Sequence, residues 1–216
     1  MKKIFLFSNI LLATLIHAQT DSGVPNRSLF DIVNYDVKKA NNDKSIEGSP
    51  YLSNQFFLSK ISNVTNTTET RYNAYTDEVE FKSAGTIYIV PKGTAYSTIS
   101  QQNGSLYTLI NNGYYSDLYT NKNTSFLLKQ KISISQNDST VKNGYNTSPD
   151  TPSYVKDKEK YFIYYKGKLY EISKNIKVLT SEINDNKLSD FINSSKISIK
   201  DINSMKKLVD FMASLQ

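Results

Sequence analysis

The sequence predicts an α+β protein: an antiparallel β-meander of about eight strands, curled into a sandwich or an open barrel, followed by two or three short C-terminal helices. Between residues 55 and 135, short runs rich in Tyr, Phe, Ile, Thr and Val alternate with Asn and Gly, which is typical of strands separated by turns. These runs leave no room for helical crossovers, so neighbouring strands are expected to be antiparallel. After Ser173 the apolar residues change to helical spacing.

Two turn signals, Gln102-Asn103-Gly104 and Asn111-Asn112-Gly113, separate predicted strands. The predicted strands of this region are Gln55–Ser62, Thr70–Phe81, Gly85–Pro91, Tyr96–Ser100, Ser105–Ile110, Tyr114–Tyr119 and Phe126–Ser135. A further aromatic run, Tyr161–Ile172, is expected to form a hairpin that turns near Lys166-Gly167.

Between these β regions lies the polar stretch Gln136–Lys160, which is rich in Asn, Ser and Lys and contains Pro149 and Pro152. It has no usable periodicity, and a connection of this length is usually a mobile or functional loop. We therefore predict a mobile loop at 136–160, inside a β-rich domain of residues 19–172.

Residues 173–216 are predicted to form a helical cap packed on the same domain. Their apolar side chains recur three or four positions apart, which places them on one face of each helix. These residues are Ile176, Leu179, Ile183, Leu188, Phe191, Ile192, Ile202, Met205, Leu208, Val209 and Met212. Ser198, with Asp201 three residues later, fits a capping box at the start of the last helix.

The first 18 residues have the layout of a cleavable export signal. The basic Met1-Lys2-Lys3 precedes a mostly apolar run, Ile4–Ile16, which ends at His17-Ala18. This run is about 13 residues long, whereas a helix that spans a bilayer needs about 20. We predict cleavage after Ala18, no transmembrane segment in the mature chain, and a location in the periplasm, at the outer membrane or outside the cell.

The mature chain would contain no Cys, no Trp and, because His17 lies in the signal, no His. This composition excludes Ser-His-Asp and Cys-His catalysis, thiol redox chemistry, and metal sites built on imidazole or thiolate ligands. We predict no cofactor and no metal site. The formal charge of +6 falls to +4 without Lys2 and Lys3, and the excess lies in residues 156–216, where 12 basic residues are interleaved with 8 acidic ones. This pattern indicates a solvated surface, so no nucleic-acid partner is expected.

The densest polar and aromatic segment is Glu69–Phe81, and it supplies most of a predicted binding site. In one regular strand, alternate side chains share a face. Glu78 and Glu80 would therefore share one face of the strand, and Arg71 would lie on the other face. The pairs Tyr114-Tyr115 and Tyr164-Tyr165 put neighbouring rings on opposite faces, which leaves one of each for a ligand. The predicted binding residues are Arg71, Tyr72, Asn73, Tyr75, Asp77, Glu78, Glu80, Tyr115 and Tyr165. The alternative is an ordinary strand in which a neighbouring acid pairs with Arg71 and the tyrosines pack.

Abundant aromatic residues without a recognisable nucleophile–base pair favour an exported, non-catalytic binding or structural module for an envelope protein, a peptide or a glycan. The alternative is a glycan hydrolase, because two carboxyl groups about 5–10 Å apart can divide the acid and base roles on a glycosidic bond. Its acids would come from Asp77, Glu78, Glu80 or Asp117.

Four features together resemble a group of exported, uncharacterised proteins of Bacteroidetes-type bacteria. They are the signal, the turn Gly48-Ser49-Pro50-Tyr51-Leu52, the segment Arg71–Phe81 and the Lys- and Asn-rich helical tail. The likeness is loose over most of the mature chain and strongest at Arg71–Phe81. It implies a Gram-negative envelope setting, and it implies no activity, because the group has none that can be transferred.

Overall fold

The computed structural model describes residues 46–135, 151–173 and 175–216, and the predicted signal lies outside these ranges. Within them the chain forms twelve strands, one turn of 3-10 helix at Thr94–Tyr96, and three α-helices. The strands are β1 (Phe57–Ile61), β2 (Thr68–Asn73), β3 (Glu78–Ser83), β4 (Thr86–Ile89), β5 (Thr98–Gln101), β6 (Leu106–Ile110), β7 (Gly113–Asn121), β8 (Thr124–Lys129), β9 (Ile132–Ser135), β10 (Ser153–Lys156), β11 (Lys160–Tyr165) and β12 (Lys168–Glu171). The helices are α1 (Val178–Ile183), α2 (Asn186–Ser195) and α3 (Ile202–Ser214).

Ten of these strands form one antiparallel sheet in the order β12-β11-β8-β7-β6-β5-β1-β2-β3-β4, and β9 pairs with β10 in a separate two-stranded sheet. The predicted α+β class and antiparallel arrangement are confirmed. The large sheet is open, because β12 and β4 stand at its two ends. The strands outnumber those expected, since two predicted strands are each divided in two and another strand lies within the predicted loop.

Strand β1 joins the two parts of the large sheet, because it pairs with β2 on one side and with β5 on the other. The chain first runs outward through β2, β3 and β4, then returns so that β5 lies on the other side of β1. Ile61 of β1 is opposite Ile99 of β5, and both side chains are fully buried. Cross-strand packing of this kind specifies the register of the central strands.

The Asn- and Gly-containing turns form where the sequence predicts them. Gly104, Asn111, Asn112 and Gly167 have φ angles of 90°, 48°, 64° and 79°, respectively. Glycine adopts positive φ without a steric penalty, and asparagine tolerates it better than most residues. The hairpins β5–β6 and β6–β7 therefore have the turn residues that their backbones need. The β11–β12 turn has Gly167 but also places Lys166 at a φ of 47°.

The segment Thr70–Phe81 is a hairpin and not the single strand that was predicted. Strands β2 and β3 are joined by residues 74–77, and Arg71 lies opposite Glu80 on the neighbouring strand. The turn forms because the Asn73 side-chain oxygen accepts hydrogen bonds from the backbone N–H groups of Tyr75 and Thr76, each at 3.1 Å. Asp77 then adopts a left-handed conformation, with φ of 58°.

The predicted loop at 136–160 contains a strand, so the prediction is wrong for its C-terminal part. Strand β10 pairs with β9, and a parallel bridge joins Ser153 to Glu47. Backbone bonds from Glu47 N to Pro152 O (2.8 Å) and from Tyr154 N to Glu47 O (2.9 Å) hold this region in place. Residues 136–150 lie outside the described residues.

Two hydrophobic cores support the sheet. The first packs side chains of β1–β3 and β5–β7 against Ile132 of β9 and the partly buried Tyr154 of β10. The second packs the three helices against Phe126, Ile163 and Tyr170 of the sheet. The small β9–β10 sheet thus packs on one half of the molecule and the helices pack on the other.

The helical cap packs through most of the residues that the helical spacing indicates, but Ile202, which was predicted among them, is 40% exposed. Leu179, Leu188 and Ile192 are buried from α1 and α2, and five residues of α3 are buried as well. The capping box was predicted at the wrong residue: Asp201 itself is the N-cap of α3, and its side chain accepts a bond from the backbone N–H of Asn203. None of the helices in the described ranges has the length and apolar character needed to cross a bilayer.

Candidate functional site

Arg71 and Glu80 form a buried ion pair in the centre of the predicted binding segment. Arg71 Nη2 lies 2.6 Å from Glu80 Oε2, and the two side chains are 10% and 2% exposed. Glu80 also accepts bonds from the Tyr51 hydroxyl (3.0 Å to Oε1) and from Asn73 Nδ2 (3.2 Å). A carboxylate with three donors is satisfied within the protein, so this group has a structural role.

The Arg71 guanidinium fastens the chain before β1 to the sheet. Its central carbon lies 3.5 Å from the ring centroid of Tyr51 and 4.3 Å from that of Phe56. Nη1 donates to the backbone oxygen of Asn54 at 3.3 Å. Pro50 O accepts bonds from the backbone N–H groups of Ala74 and Tyr75. The turn Gly48–Leu52 and the segment Arg71–Phe81, which were singled out separately in the sequence, are therefore in contact.

Asp77 forms a second charged cluster, at the turn between β2 and β3. Its Oδ1 accepts bonds from Lys129 Nζ (2.6 Å) and the Tyr72 hydroxyl (2.7 Å), and also from the backbone N–H of Tyr114 (3.3 Å). Lys92 Nζ lies 3.6 Å from Oδ2. These contacts connect the β2–β3 turn to β7 and β8 across the curled sheet.

Burial controls the proton affinities around Asp77. Burial raises the pKa of the Tyr72 hydroxyl, and the neighbouring Asp77 carboxylate raises it further. The pKa of Tyr114 is raised for the same two reasons, with a smaller contribution from Glu78. The pKa of Lys129 is lowered, because its burial outweighs the attraction of Asp77. Both phenols therefore keep their protons well above physiological pH.

A cleft of about 180 Å³ lies beside this cluster, where the chain enters β1. We call it the Tyr72 cleft. Its floor consists of the buried residues Arg71, Tyr72, Gln101 and Tyr107. Exposed Ser53, Gln55 and Asn103 border it, and half-buried Leu52, Phe57, Ser105 and Gln130 complete the lining.

Tyr72 links the cleft to the charged cluster. Its ring packs against the ring of Tyr107, with centroids 4.9 Å apart and planes 32° apart. Its hydroxyl is the group that donates to Asp77. One side chain thus lies in the floor of the cleft and also contacts the carboxylate that connects β2–β3 to β8.

The nine predicted binding residues are not one surface. Five of them are buried, namely Arg71, Tyr72, Asn73, Glu80 and Tyr165. Tyr165 belongs to the core under the helices, and its half-buried neighbour Tyr164 has the accessible ring. Tyr115, half-buried on β7, packs edge-on against Phe162 of β11, with ring centroids 5.3 Å apart. Tyr75, Asp77 and Glu78 retain solvent access, and of the nine only Arg71 and Tyr72 line the cleft.

The residues that sequence reasoning missed come from distant positions in the chain. They are Lys92, Gln101, Tyr107, Lys129 and Gln130. None lies in a motif. Lys92 follows β4, and the other four become relevant only when the curled sheet brings β5, β6 and the end of β8 next to β2. Gln55, which borders the cleft, was assigned only to the first predicted strand.

Two of the four acids named for a hydrolase already have partners within the protein. Glu80 and Asp77 are held in ion pairs. Burial raises the pKa of Asp117. The acid in register with Asp117 across the sheet is Glu171, because Asp117 lies opposite Leu127, Leu127 opposite Phe162, and Phe162 opposite Glu171. Asp117 and Glu171 are therefore three strand spacings apart, about 14 Å, which exceeds the separations used on glycosidic bonds. No group of three or more acidic, His or Cys side chains in the described residues is placed to hold a metal ion.

Comparison with protein-family models, with curated protein sequences and with solved structures gives no match to this chain.

Proposed function

We propose that this chain is an exported, non-catalytic binding module and that its ligand enters the Tyr72 cleft. The observation that carries the proposal is that the paired acids and the residues that line the cleft are different groups of polar residues. Two of the three acids of the predicted site, Asp77 and Glu80, are paired within the protein, whereas the cleft combines a buried floor with an exposed border. Convergent polar and aromatic groups in a concave surface are typical of a binding site.

Two further observations support binding over hydrolysis. The Arg71–Glu80 pair and the Tyr72–Asp77 bond lie directly behind the floor, so the binding surface is held in one conformation. Glu80 cannot act as a general acid or base without leaving three donors unpaired. A preorganised surface in which Asp77 and Glu80 are already paired fits ligand capture.

Export belongs to the same proposal and is supported by the layout of residues 1–18. Fractionation of the producing cells and N-terminal sequencing of the protein test it. We expect a mature chain that begins at Gln19 and is found outside the cytoplasm. A cytoplasmic protein that retains Met1 would contradict the export part while leaving the cleft to be tested on its own.

The binding part is tested with a photo-crosslinking residue at Gln55, on the border of the cleft, in the producing cells. The matched control places the same residue at Gln102, which is also an exposed glutamine but does not line the cleft. We expect a reproducible crosslinked product from position 55 and none from position 102. Equal products from both positions, or none from either, would remove the cleft from the proposed function.

A further inference from the structure

We propose that the Tyr72 cleft receives a single uncharged sugar ring, a neutral pyranose that stands alone or forms part of a glycan. This inference rests on the proposed function, because it assigns a ligand class to the same cleft. It follows from the charge of the cleft, the chemistry of its lining and its size and position.

The cleft has no net charge to offer a ligand. Among the described residues of its lining, Arg71 is the one side chain charged at neutral pH. Its guanidinium lies 2.6 Å from Glu80 Oε2, so its charge is compensated from behind the floor. Burial raises the pKa of Tyr72 and of Tyr107, which keeps both phenols neutral. An anionic or cationic ligand would lose its hydration without gaining an opposite charge.

The uncharged groups of the lining match a molecule that has hydroxyl groups on its edges and C–H groups on its faces. Amide and hydroxyl side chains both donate and accept hydrogen bonds, as sugar hydroxyls do. Gln101 uses its Nε2 to donate to Thr70 Oγ1 at 3.0 Å, so its side-chain oxygen is left to accept from a ligand. The rings of Tyr72, Tyr107 and Phe57 supply the apolar surface on which the C–H face of a sugar packs.

Size and position distinguish a sugar ring from a peptide strand. A volume of about 180 Å³ equals that of about six liquid waters, which suits one ring and is below the range of sites for drug-sized ligands. Extended peptides commonly add to the open edge of a sheet. The cleft is instead lined from β1, β2, β5 and β6, which all lie inside the sheet order.

The test uses the processed protein purified from the producing cells and saturation-transfer NMR, which detects weak binding of small molecules. The probes are glucose, galactose, mannose and N-acetylglucosamine, with glucuronate as the charged counterpart and N-acetyl-alanine amide as the peptide counterpart. We expect at least one neutral sugar to bind. Gln55→Ala should weaken its binding roughly fivefold through the loss of one hydrogen-bonding group. Tyr107→Leu should weaken it more than tenfold, and Gln102→Ala should leave it unchanged.

The results that would overturn the inference can be told apart from one another. Glucuronate or the peptide amide binding in place of the sugars, with the same dependence on Gln55 and Tyr107, would reject the sugar and retain the cleft as a binding site. Sugar binding that is insensitive to Gln55→Ala and Tyr107→Leu would place the sugar elsewhere. No binding by any neutral sugar rejects the ligand class, and the crosslinking comparison at Gln55 and Gln102 then decides separately whether the cleft binds anything. Circular dichroism establishes that the Tyr107→Leu variant is folded, and Gln55→Ala alters only an exposed side chain.

Discussion

The Tyr51 hydroxyl donates to the carboxylate of Glu80, 29 residues further along the chain, at 3.0 Å. This bond joins the turn before β1 to the second strand of the β2–β3 hairpin, and both groups are buried. The Arg71 guanidinium contacts both side chains, since it stacks on the Tyr51 ring and pairs with Glu80. The three side chains form one unit, so the loss of any member removes one partner from each of the other two.

Glu80→Gln is expected to lower the free energy of unfolding by about 3 kcal/mol, because it leaves the Arg71 charge buried and unpaired. Glu69→Gln on the same hairpin is the matched control. Glu69 forms an exposed pair with Lys82 at 3.5 Å, so its substitution should change stability by less than about 0.5 kcal/mol. Urea denaturation of both variants measures the difference, and equal costs would show that burial of the Arg71–Glu80 pair is energetically unimportant.

Asp77 and Lys129 are expected to be energetically coupled. A double-mutant cycle with Asp77→Asn and Lys129→Met should give a coupling energy of about 1 kcal/mol, because the pair is half-buried and 2.6 Å apart. The exposed pair Lys160–Glu171, at 3.4 Å, should give less than about 0.5 kcal/mol in the same cycle. A coupling at Asp77–Lys129 no larger than that of the exposed pair would argue against a connection between β2–β3 and β8 through these side chains.

Alkaline pH is expected to destabilise the protein. The pKa values of Tyr72, Tyr107 and Tyr114 are raised above the ordinary value of 10.0, so these phenols hold their protons in the folded state after the unfolded chain has begun to lose them. Their contribution to stability is complete below pH 10 and falls above it, by about 1.4 kcal/mol per pH unit for each tyrosine. The lowered pKa of Lys129 acts in the opposite direction, since its burial penalty disappears as it deprotonates.

The comparison of Tyr114→Phe with Tyr72→Phe isolates this effect. Both variants should show a shallower loss of stability above pH 10 than the unmodified protein. At pH 7 they should differ, because the Tyr114 hydroxyl is buried without a hydrogen-bond partner among the described residues, whereas that of Tyr72 donates to Asp77. We expect Tyr114→Phe to be neutral or stabilising and Tyr72→Phe to cost about 1–2 kcal/mol. If both variants lose stability above pH 10 as steeply as the unmodified protein, the buried phenols of Tyr72 and Tyr114 are not the cause of the alkaline destabilisation.

Tyr164 and Tyr165 provide a test of the faces of β11. Tyr165→Ala should cost about 4 kcal/mol, because the ring is 1% exposed in the core under the helices. Tyr164→Ala, on the other face, should cost about 1 kcal/mol. Thermal denaturation of the two variants gives the ranking directly. A reversed ranking would mean that the register of β11 is shifted by one residue.

The fold was predictable in outline because it depends on local signals. Short runs rich in aromatic and β-branched residues identified most strands, and Asn- and Gly-containing turns such as Asn111-Asn112-Gly113 set the hairpins. The hairpin within Thr70–Phe81 was missed, since its turn depends on one side-chain oxygen of Asn73 and contains no glycine. Strand β10 was missed because its partner contacts, with β9 and Glu47, come from distant positions.

The candidate site was predictable only for the residues that belong to one continuous segment of the sequence. Arg71 and Tyr72 were selected for their polar and aromatic character, and both line the cleft. Gln101 and Tyr107 were absent from the selection, because the pairing of β5 with β1 that brings them there is a long-range event. Tyr165 was selected in place of Tyr164, since adjacent rings on a strand alternate in face and the sequence does not state which face the helices cover.

The position of β1 also bears on when the chain can fold. Its hydrogen bonding is complete only after β5 has been made, and the core beneath it includes Ile132 and the packed ring of Tyr154. A chain that leaves a translocation channel N-terminus first would therefore expose β1 to β4 for most of its passage before their packing partners arrive. High contact order of this kind slows folding. Under the proposed export, this late closure of the first core would keep the chain extended until Tyr154 has emerged.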